Sequence, residues 1–136
     1  MNVETAQEAA HGKDAIVFGA PNVVRGGSHT GWTKAADMIA HGLCSVLASD
    51  YYYPAPLIAA FRLAVDRIVP LEQAWSLVSE APAAAAGLPD RGRIAPGVRA
   101  DLILVDSEDP LRPRVVLVIA AGRLVYLTDA GRSPSS

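Results

Sequence analysis

The sequence predicts an α/β fold that gives way to a β-rich segment near Leu88. Two short apolar runs, 14–20 and 43–49, flank a stretch with the spacing of an amphipathic helix. This order is typical of a βαβ unit, in which the strands are parallel and the crossover is right-handed. Beyond Leu88, glycine and proline become frequent and the runs are rich in β-forming residues. We therefore expect a parallel sheet with helices before Leu88 and antiparallel strands after it.

The first elements are predicted from apolar spacing and from glycines. Residues 3–12 have the composition of a helix end, and the nearly continuous apolar run 14–20 predicts a strand buried on both faces. Residues 33–41 follow as an amphipathic helix, and Gly42 is the residue expected to end it. The run 43–49 then forms the second strand.

The longest predicted helix begins at Ala55. Leu57, Phe61, Ala64 and Ile68 recur at helical spacing and predict the stripe that packs on the sheet. A proline inside a helix removes a backbone hydrogen bond, so Pro70 is expected to stop it. Two shorter helices are predicted over 71–80 and 82–86.

The β-rich part contains a predicted hairpin, with Ala121-Gly122 as its turn. The tail lacks large apolar residues and is predicted to be disordered. The predicted strands cover 100–106, 115–121 and 123–127, and the predicted boundaries are 1–88 for the sheet-and-helix segment, 89–128 for the β-rich segment and 129–136 for the tail.

Length, charge and cysteine content limit the classes of function that the chain could have. The 136 residues suit one globular domain with 51% hydrophobic and 19% charged residues. The net charge of −2, with both signs interspersed, argues against binding to nucleic acid or to an anionic membrane. A single cysteine, Cys44, sits inside a predicted strand and is interpreted as a buried structural thiol in a reducing compartment.

Neither a transmembrane helix nor a secretory signal is predicted. The longest apolar run, 115–121, is far shorter than the roughly 20 residues that cross a bilayer. The first eight residues have no basic or apolar region of the signal-peptide type. A cytoplasmic location is the expectation.

Polar residues follow both predicted strands, where parallel α/β sheets hold their ligands. The loop after the first strand contains Arg25, suited to bidentate phosphate contact, and Gly26-Gly27, which permit close backbone approach. Ser28 and His29 add short polar groups. Two interpretations of the loop remain open. It could bind an anion, or it could be a glycine-rich surface loop with a solvated arginine.

Asp50 ends the second apolar run and precedes Tyr51, Tyr52 and Tyr53. A carboxylate there could bind a metal, act as a general base, or do both. The structural alternative is a helix cap or Asx turn. The tyrosines could line a pocket or fill the core, and His29 could ligate a metal or serve as a hydrogen-bonding spacer.

Other polar and aromatic residues have structural interpretations. His11 and His41 lie near predicted helix ends, where a partial positive charge is favourable. Trp75 falls on a predicted helix and is expected in the core, whereas Trp32 lies in the polar loop.

Three segments together resemble the C-terminal third of the PhnM family, amidohydrolase-superfamily enzymes of phosphonate use. They are Ala20-Pro-Asn-Val-Val-Arg-Gly-Gly-Ser-His29, Ala48-Ser-Asp-Tyr51 and Asp90-Arg-Gly-Arg-Ile-Ala-Pro-Gly-Val-Arg-Ala-Asp-Leu-Ile-Leu-Val-Asp106. The last is general to the superfamily, and the first two are more specific. The resemblance spans residues 3–127.

The resemblance implies the C-terminal portion of a metal-dependent (β/α)₈ barrel, its last two βα units, with strands of a small adjoining β-sandwich. The implied reaction is hydrolysis of α-D-ribose 1-methylphosphonate 5-triphosphate to the 5-phosphate and pyrophosphate. Asp50 would bind a divalent metal, Zn, Mn or Mg, and take a proton from the attacking water. The implied substrate contacts are Asn22, Arg25, Gly26, Gly27, Ser28, His29 and Tyr51.

Several family features have no counterpart in this sequence. The His-x-His pair of the first barrel strand is absent, Thr30 and Trp32 replace an expected serine and asparagine, and Ser79-Glu-Ala-Pro82 replaces a Thr-Ala-Asn-Pro-like stretch. A barrel needs eight strands and this sequence predicts two. The expectation is a split or truncated hydrolase, inactive alone, whose missing N-terminal portion or another chain completes the metal site.

Two alternatives remain beside that hydrolase. One is a non-catalytic remnant, or a fragment that acts only with a partner chain. The other is an amidohydrolase acting on a cyclic amide. Two exposed parallel-strand edges and an uncovered apolar sheet face are expected to promote aggregation unless a partner covers them.

Overall fold

The computed structural model describes residues 16–21, 37–49 and 54–129. Within these ranges two parallel strands, the helical residues 37–40 between them and three further helices precede a three-stranded antiparallel sheet. The elements are β1 (Val17–Gly19), β2 (Val46–Ala48), α1 (Ala55–Val65), α2 (Leu71–Ser76), α3 (Glu80–Ala85), β3 (Leu102–Asp106), β4 (Arg114–Ala120) and β5 (Arg123–Leu127).

The predicted parallel pair is confirmed. Val17 pairs with Val46 and Gly19 with Ala48, in parallel register. Val46 and Leu47 point to opposite faces of β2 and are only 7% and 2% exposed, so this strand is covered on both sides. The prediction of a doubly buried first strand is wrong, because Val17 in β1 is 54% exposed.

The turn before β2 confirms the role predicted for Gly42. Residues 37–40 are helical, and Gly42 adopts φ +70°. The amide of Gly42 donates to the Ile39 carbonyl and that of Leu43 to the Met38 carbonyl, at 3.0 and 2.7 Å. This pair of bonds is the Schellman motif, which satisfies carbonyl groups at the end of a helix.

Helix α1 packs through small residues. Prolines 54 and 56 suit its first turn, because their missing amides would find no intrahelical partner there. Ala59, Ala60 and Leu63 are fully buried, whereas Leu57 and Ala64 are only partly buried, so the predicted stripe is displaced around the helix. Small side chains allow α1 to lie close to the rest of the core, and Leu63 is the large side chain that α1 buries completely there.

The end of α1 also differs from the prediction. The helix ends at Val65, five residues before Pro70. Arg67 adopts φ +57°, and its amide and that of Ile68 donate to the Ala64 and Leu63 carbonyls at 3.1 and 3.0 Å. A second Schellman motif, with arginine in the position that usually holds glycine, therefore ends the helix before the proline does.

Helices α2 and α3 occur where two short helices were predicted. Trp75 in α2 packs against the main core cluster, as expected. That cluster contains Ala20, which directly follows β1, together with Leu47 of β2 and Leu63 of α1, so it joins these three elements. None of the helices within the described ranges is long and apolar enough to cross a membrane.

The three predicted strands of the β-rich part are confirmed in the order β3-β4-β5. Ala121 and Gly122, with φ of +51° and +78°, form the predicted two-residue turn. One bulge lies beside Leu104 and Val105 and another beside Val118 and Ile119. The domain boundaries predicted from the sequence stay predictions, and residues 130–136 lie outside the described ranges.

Candidate active site

The carboxyl ends of β1 and β2 lie side by side. Gly19 is the register partner of Ala48, and the amide of Ala20 donates to the Ala48 carbonyl at 2.7 Å. Ala20 is fully buried and Ser49 is partly buried. The chain therefore leaves both strands from one edge of the sheet, which is where α/β folds bind their ligands.

The site residues predicted from the sequence all lie outside the described ranges. The first loop begins directly after Pro21 and the second directly after Ser49, so the described strands show where each loop leaves the sheet. The predicted residues are Asn22, Arg25, Gly26, Gly27, Ser28, His29, Asp50 and Tyr51. His11, Trp32, Tyr52 and Tyr53 are likewise outside these ranges, and their roles stay predictions.

Metal ligands are not assembled elsewhere in the described part of the chain. No group of three His, Cys, Asp or Glu side chains within it could hold a metal ion. Several aspartates after Leu88 are instead paired with arginines, for example Asp101 with Arg99 and Asp106 with Arg114, at 2.8 and 2.9 Å. A metal bound by this chain would therefore need ligands from outside the described residues.

Cys44 lies in an environment that disfavours its thiolate form. Burial raises the pKa of its thiol to about 11, although hydrogen bonds involving the Val46 and Phe18 backbone oppose the shift. The neutral thiol hydrogen-bonds to the Val46 carbonyl at 3.5 Å. Because the thiolate is the reactive form, this environment favours a structural thiol; the predicted burial of Cys44 is confirmed, but the residue precedes β2 and does not lie within a strand.

His41 also has a local structural role. Its Nδ1 atom lies 2.7 Å from the Asp37 carbonyl oxygen, one turn earlier. The Asp37 carbonyl also accepts a hydrogen bond from the His41 backbone amide at 3.0 Å, so the ring adds a second contact to this helical turn. This contact agrees with the structural interpretation.

The motif over residues 90–106 organises the junction between α3 and the antiparallel sheet. Gly92 has φ +96°, and a Cβ atom there would lie 2.8 Å from the Ala83 Cβ and 2.9 Å from the Ser79 carbonyl oxygen. The Asp101 carboxylate accepts hydrogen bonds from the Ala121 amide and the Arg99 Nε, both at 2.8 Å. These contacts explain the spacing of glycine and aspartate by packing and turn geometry.

Sequence reasoning missed a cleft of about 810 Å³ between the helices and β3. Its walls include Phe61 and Trp75 on one side and Ile103 on the other, with Arg91 and Arg93 at the same cleft. None of its lining residues comes from β1 or β2. Periodicity could not reveal it, because its two walls come from segments whose packing depends on Gly92.

A model of the amidohydrolase family matches residues 16–126. The chain belongs to the amidohydrolase family. Its fold agrees with solved amidohydrolases: the crystal structure of an amidohydrolase from Thermotoga maritima MSB8 superimposes with a TM-score of 0.68 at 21% identity, over 92% of this chain and 34% of that one. A second amidohydrolase crystal structure gives a TM-score of 0.63 at 19% identity, over 95% and 38%.

Among curated proteins, this amidohydrolase chain is similar to the alpha-D-ribose 1-methylphosphonate 5-triphosphate diphosphatase of Escherichia coli (strain K12). The two are 48% identical over 101 residues, which are 73% of this chain and 26% of that enzyme. The resemblance stated from the motifs is thereby confirmed. The chain is also 48% identical over 64 residues to the adenine deaminase of Gluconobacter oxydans (strain 621H), covering 47% of this chain and 11% of that protein. It thus spans about a quarter, or less, of these relatives.

Proposed function

We propose that this amidohydrolase chain contributes the last two βα units of a metal-dependent (β/α)₈ barrel and strands of the adjoining β-sandwich. The reaction is hydrolysis of alpha-D-ribose 1-methylphosphonate 5-triphosphate to the 5-phosphate and pyrophosphate. The parallel register of β1 and β2 carries this proposal, because it brings the Arg25 and Asp50 loops out at one sheet edge. The 48% identity over 101 residues to the E. coli diphosphatase supports the choice of substrate.

The proposed roles follow from the chemistry of the reaction. A triphosphate presents several anionic oxygens, which suit the Arg25 guanidinium and the backbone amides near Gly26 and Gly27. Asp50 serves as base toward the attacking water and as one metal ligand. A divalent metal supplies Lewis-acid activation in such sites, and amidohydrolases generally use one.

Further ligands must join Asp50, because no metal-binding group exists in the described part of the chain. The proposed enzyme therefore works as an assembly of β1 and β2 with further barrel strands. Those strands also supply the remaining wall of the substrate pocket. The chain by itself, with divalent metal added, is expected to release no pyrophosphate.

A chimera tests this proposal. The segment of the E. coli diphosphatase that corresponds to residues 3–127 of this chain is replaced by those residues, and pyrophosphate release from the triphosphate substrate is measured with added divalent metal. Activity is expected in the chimera, with a loss of at least about a thousandfold in Asp50→Asn, because both its ligand and its base are altered. The matched control is Asp37→Asn, an exposed aspartate on helical residues 37–40, with activity unchanged.

Two results would contradict the proposal. A folded, metal-loaded chimera without activity would exclude these loops as a working part of the diphosphatase. An active chimera that tolerates Asp50→Asn would exclude Asp50 as base and ligand.

A second candidate is purine deamination, favoured by the 48% identity over 64 residues to an adenine deaminase. That match covers less of the chain than the diphosphatase match does. Measuring ammonia release from adenine by the same chimera separates the two. Ammonia release without pyrophosphate release would favour the deaminase.

A further inference from the structure

The outer edge of β2, opposite β1, is occupied by the chain itself. In a parallel ladder alternate residues of one strand bond to the same neighbour. The Val46 amide donates to the Ile16 carbonyl at 3.1 Å, and the Ala48 carbonyl accepts from Ala20 at 2.7 Å, so these two residues face β1. The amide of Leu47, between them, faces the other way.

That amide donates to the Leu77 carbonyl at 2.9 Å. Leu77 caps the end of α2, is 8% exposed and belongs to the same core cluster as Leu47. An exposed strand edge is a template for pairing with another strand. The expectation that both edges of the parallel pair stand open is therefore wrong for β2.

The connection between α2 and α3 is held in place by its own bonds. The Val78 amide and the Ser79 hydroxyl both donate to the Trp75 carbonyl, each at 3.0 Å. The Ser79 carbonyl in turn accepts from the Ala83 amide at 3.2 Å, in the first turn of α3. Residues 77–79 are thus fixed at both ends against helices.

We propose that residues 77–79 form an edge cap: the Leu77 carbonyl holds the Leu47 amide at the outer edge of β2, and any further strand that pairs with β2 there must first displace this segment. Leu47 is the middle residue of a three-residue strand, so its amide is the donor that an incoming strand needs. The cap protects the isolated sheet from edge-to-edge association. Completion of a larger sheet then requires the Leu47 to Leu77 bond to be exchanged for a strand pair.

Amide hydrogen exchange in the full 136-residue chain, followed by NMR, tests the cap. In the unmodified chain the Leu47 and Val46 amides are both expected to be protected. Leu77→Ala removes the side chain that anchors the cap in the core, and Ser79→Ala removes only the hydroxyl bond. Leu47 exchange should accelerate about tenfold in the first variant and about threefold in the second, while Val46 exchange stays unchanged. Leu88→Ala, at a 39% exposed position beyond α3, is the control and should alter neither amide.

Self-association provides a second readout. Sedimentation velocity should show oligomers of Leu77→Ala at concentrations where the unmodified chain and Leu88→Ala remain monomeric. The proposal is overturned if Leu47 exchanges freely in the unmodified chain, or if Val46 and Leu47 accelerate equally in both variants. A monomeric Leu77→Ala with an unprotected Leu47 would overturn the protective role. These outcomes are independent of the proposed diphosphatase, which the chimera tests separately.

Discussion

The two parts of the molecule are stabilised in different ways. In the part before Leu88, a core of fully buried residues such as Ala20, Ala59 and Leu63 joins the parallel strands to α1. Among the described residues after Leu88, only Pro113 and Val116 are buried. The first part holds together through side-chain packing, and the second through strand pairing, turns and ion pairs.

The antiparallel sheet has an apolar face that the described residues leave partly open. Cross-strand pairing puts six aliphatic side chains on this face, and none of them is buried. Leu104 and Leu124 are the most exposed, at 54% and 56%. The six are Leu102, Leu104, Leu117, Ile119, Leu124 and Leu127. A sequence pattern can therefore specify strands without supplying the packing that would bury them.

The largest expected effect is in the packed part. Leu63→Ala removes a fully buried side chain from α1 and is expected to lower the free energy of unfolding by about 2–5 kcal/mol. Leu124→Ala, the same change on the open face of β5, should cost roughly 0.5 kcal/mol or less. Urea denaturation of both variants measures the difference. Equal losses would show that the open face is packed as tightly as the core.

The junction between the two parts gives the next effect. Gly92→Ala combines a strained φ of +96° with overlap against the Ser79 carbonyl, so a loss of about 1–3 kcal/mol in unfolding free energy is expected. Gly97→Ala shares a positive φ of +80° but meets nothing within 4 Å. It isolates the backbone cost, about 1 kcal/mol. If Gly97→Ala lowers the unfolding free energy as much as Gly92→Ala does, close packing at Gly92 is not the cause of the loss.

The ion pairs of the second part predict a pH dependence. The Ala121 amide and then the Arg99 side chain lower the pKa of Asp101 below its ordinary 3.8. Because the folded pKa is depressed, the stabilisation is present above the unfolded value and is lost as the pH falls through the folded one. Asp101→Asn should reduce the acid-induced drop in melting temperature between about pH 5 and pH 2.

Calorimetric melting curves across this pH range are the measurement. Glu72→Gln, which also removes one exposed carboxylate, is the matched control, and Asp101→Asn should change the pH profile more than this control does. If Asp101→Asn leaves the dependence of melting temperature on pH unaltered, groups other than Asp101 cause the loss of stability in acid.

The smallest effect is a gain at the hairpin turn. Ala121 adopts φ +51°, a conformation that asparagine tolerates better than alanine. Ala121→Asn keeps the backbone amide that donates to Asp101 and is expected to raise the unfolding free energy by roughly 0.5 kcal/mol. Ala120→Asn, one residue earlier in β4, should give no gain. Urea denaturation distinguishes the two.

Local sequence patterns predicted where helices and strands begin and end better than they predicted which faces of those elements are buried. The hairpin at Ala121-Gly122 and the helix end at Gly42 followed from residues whose backbone preferences act within one turn. The buried side of α1 was misplaced, because alanines decide which face lies against the core and they carry little signal in an apolar pattern. Helix α1 ended earlier than predicted because Arg67 adopts a left-handed conformation. An arginine in the sequence does not indicate this conformation, as a glycine would.

The candidate site likewise has features that the sequence predicts locally and features that depend on tertiary contacts. The sequence by itself predicted that polar loops follow two short strands and that Asp50 stands directly beyond the second apolar run, since the length of an apolar run and the residues that follow it are local properties. Only the tertiary structure decided that these strands pair in parallel with their carboxyl ends together, that Leu77 covers the outer edge of β2, and that Gly92 brings α3 against the β-rich part. Those contacts join residues far apart in the chain, where close packing and hydrogen-bond geometry select the partner and no local preference does.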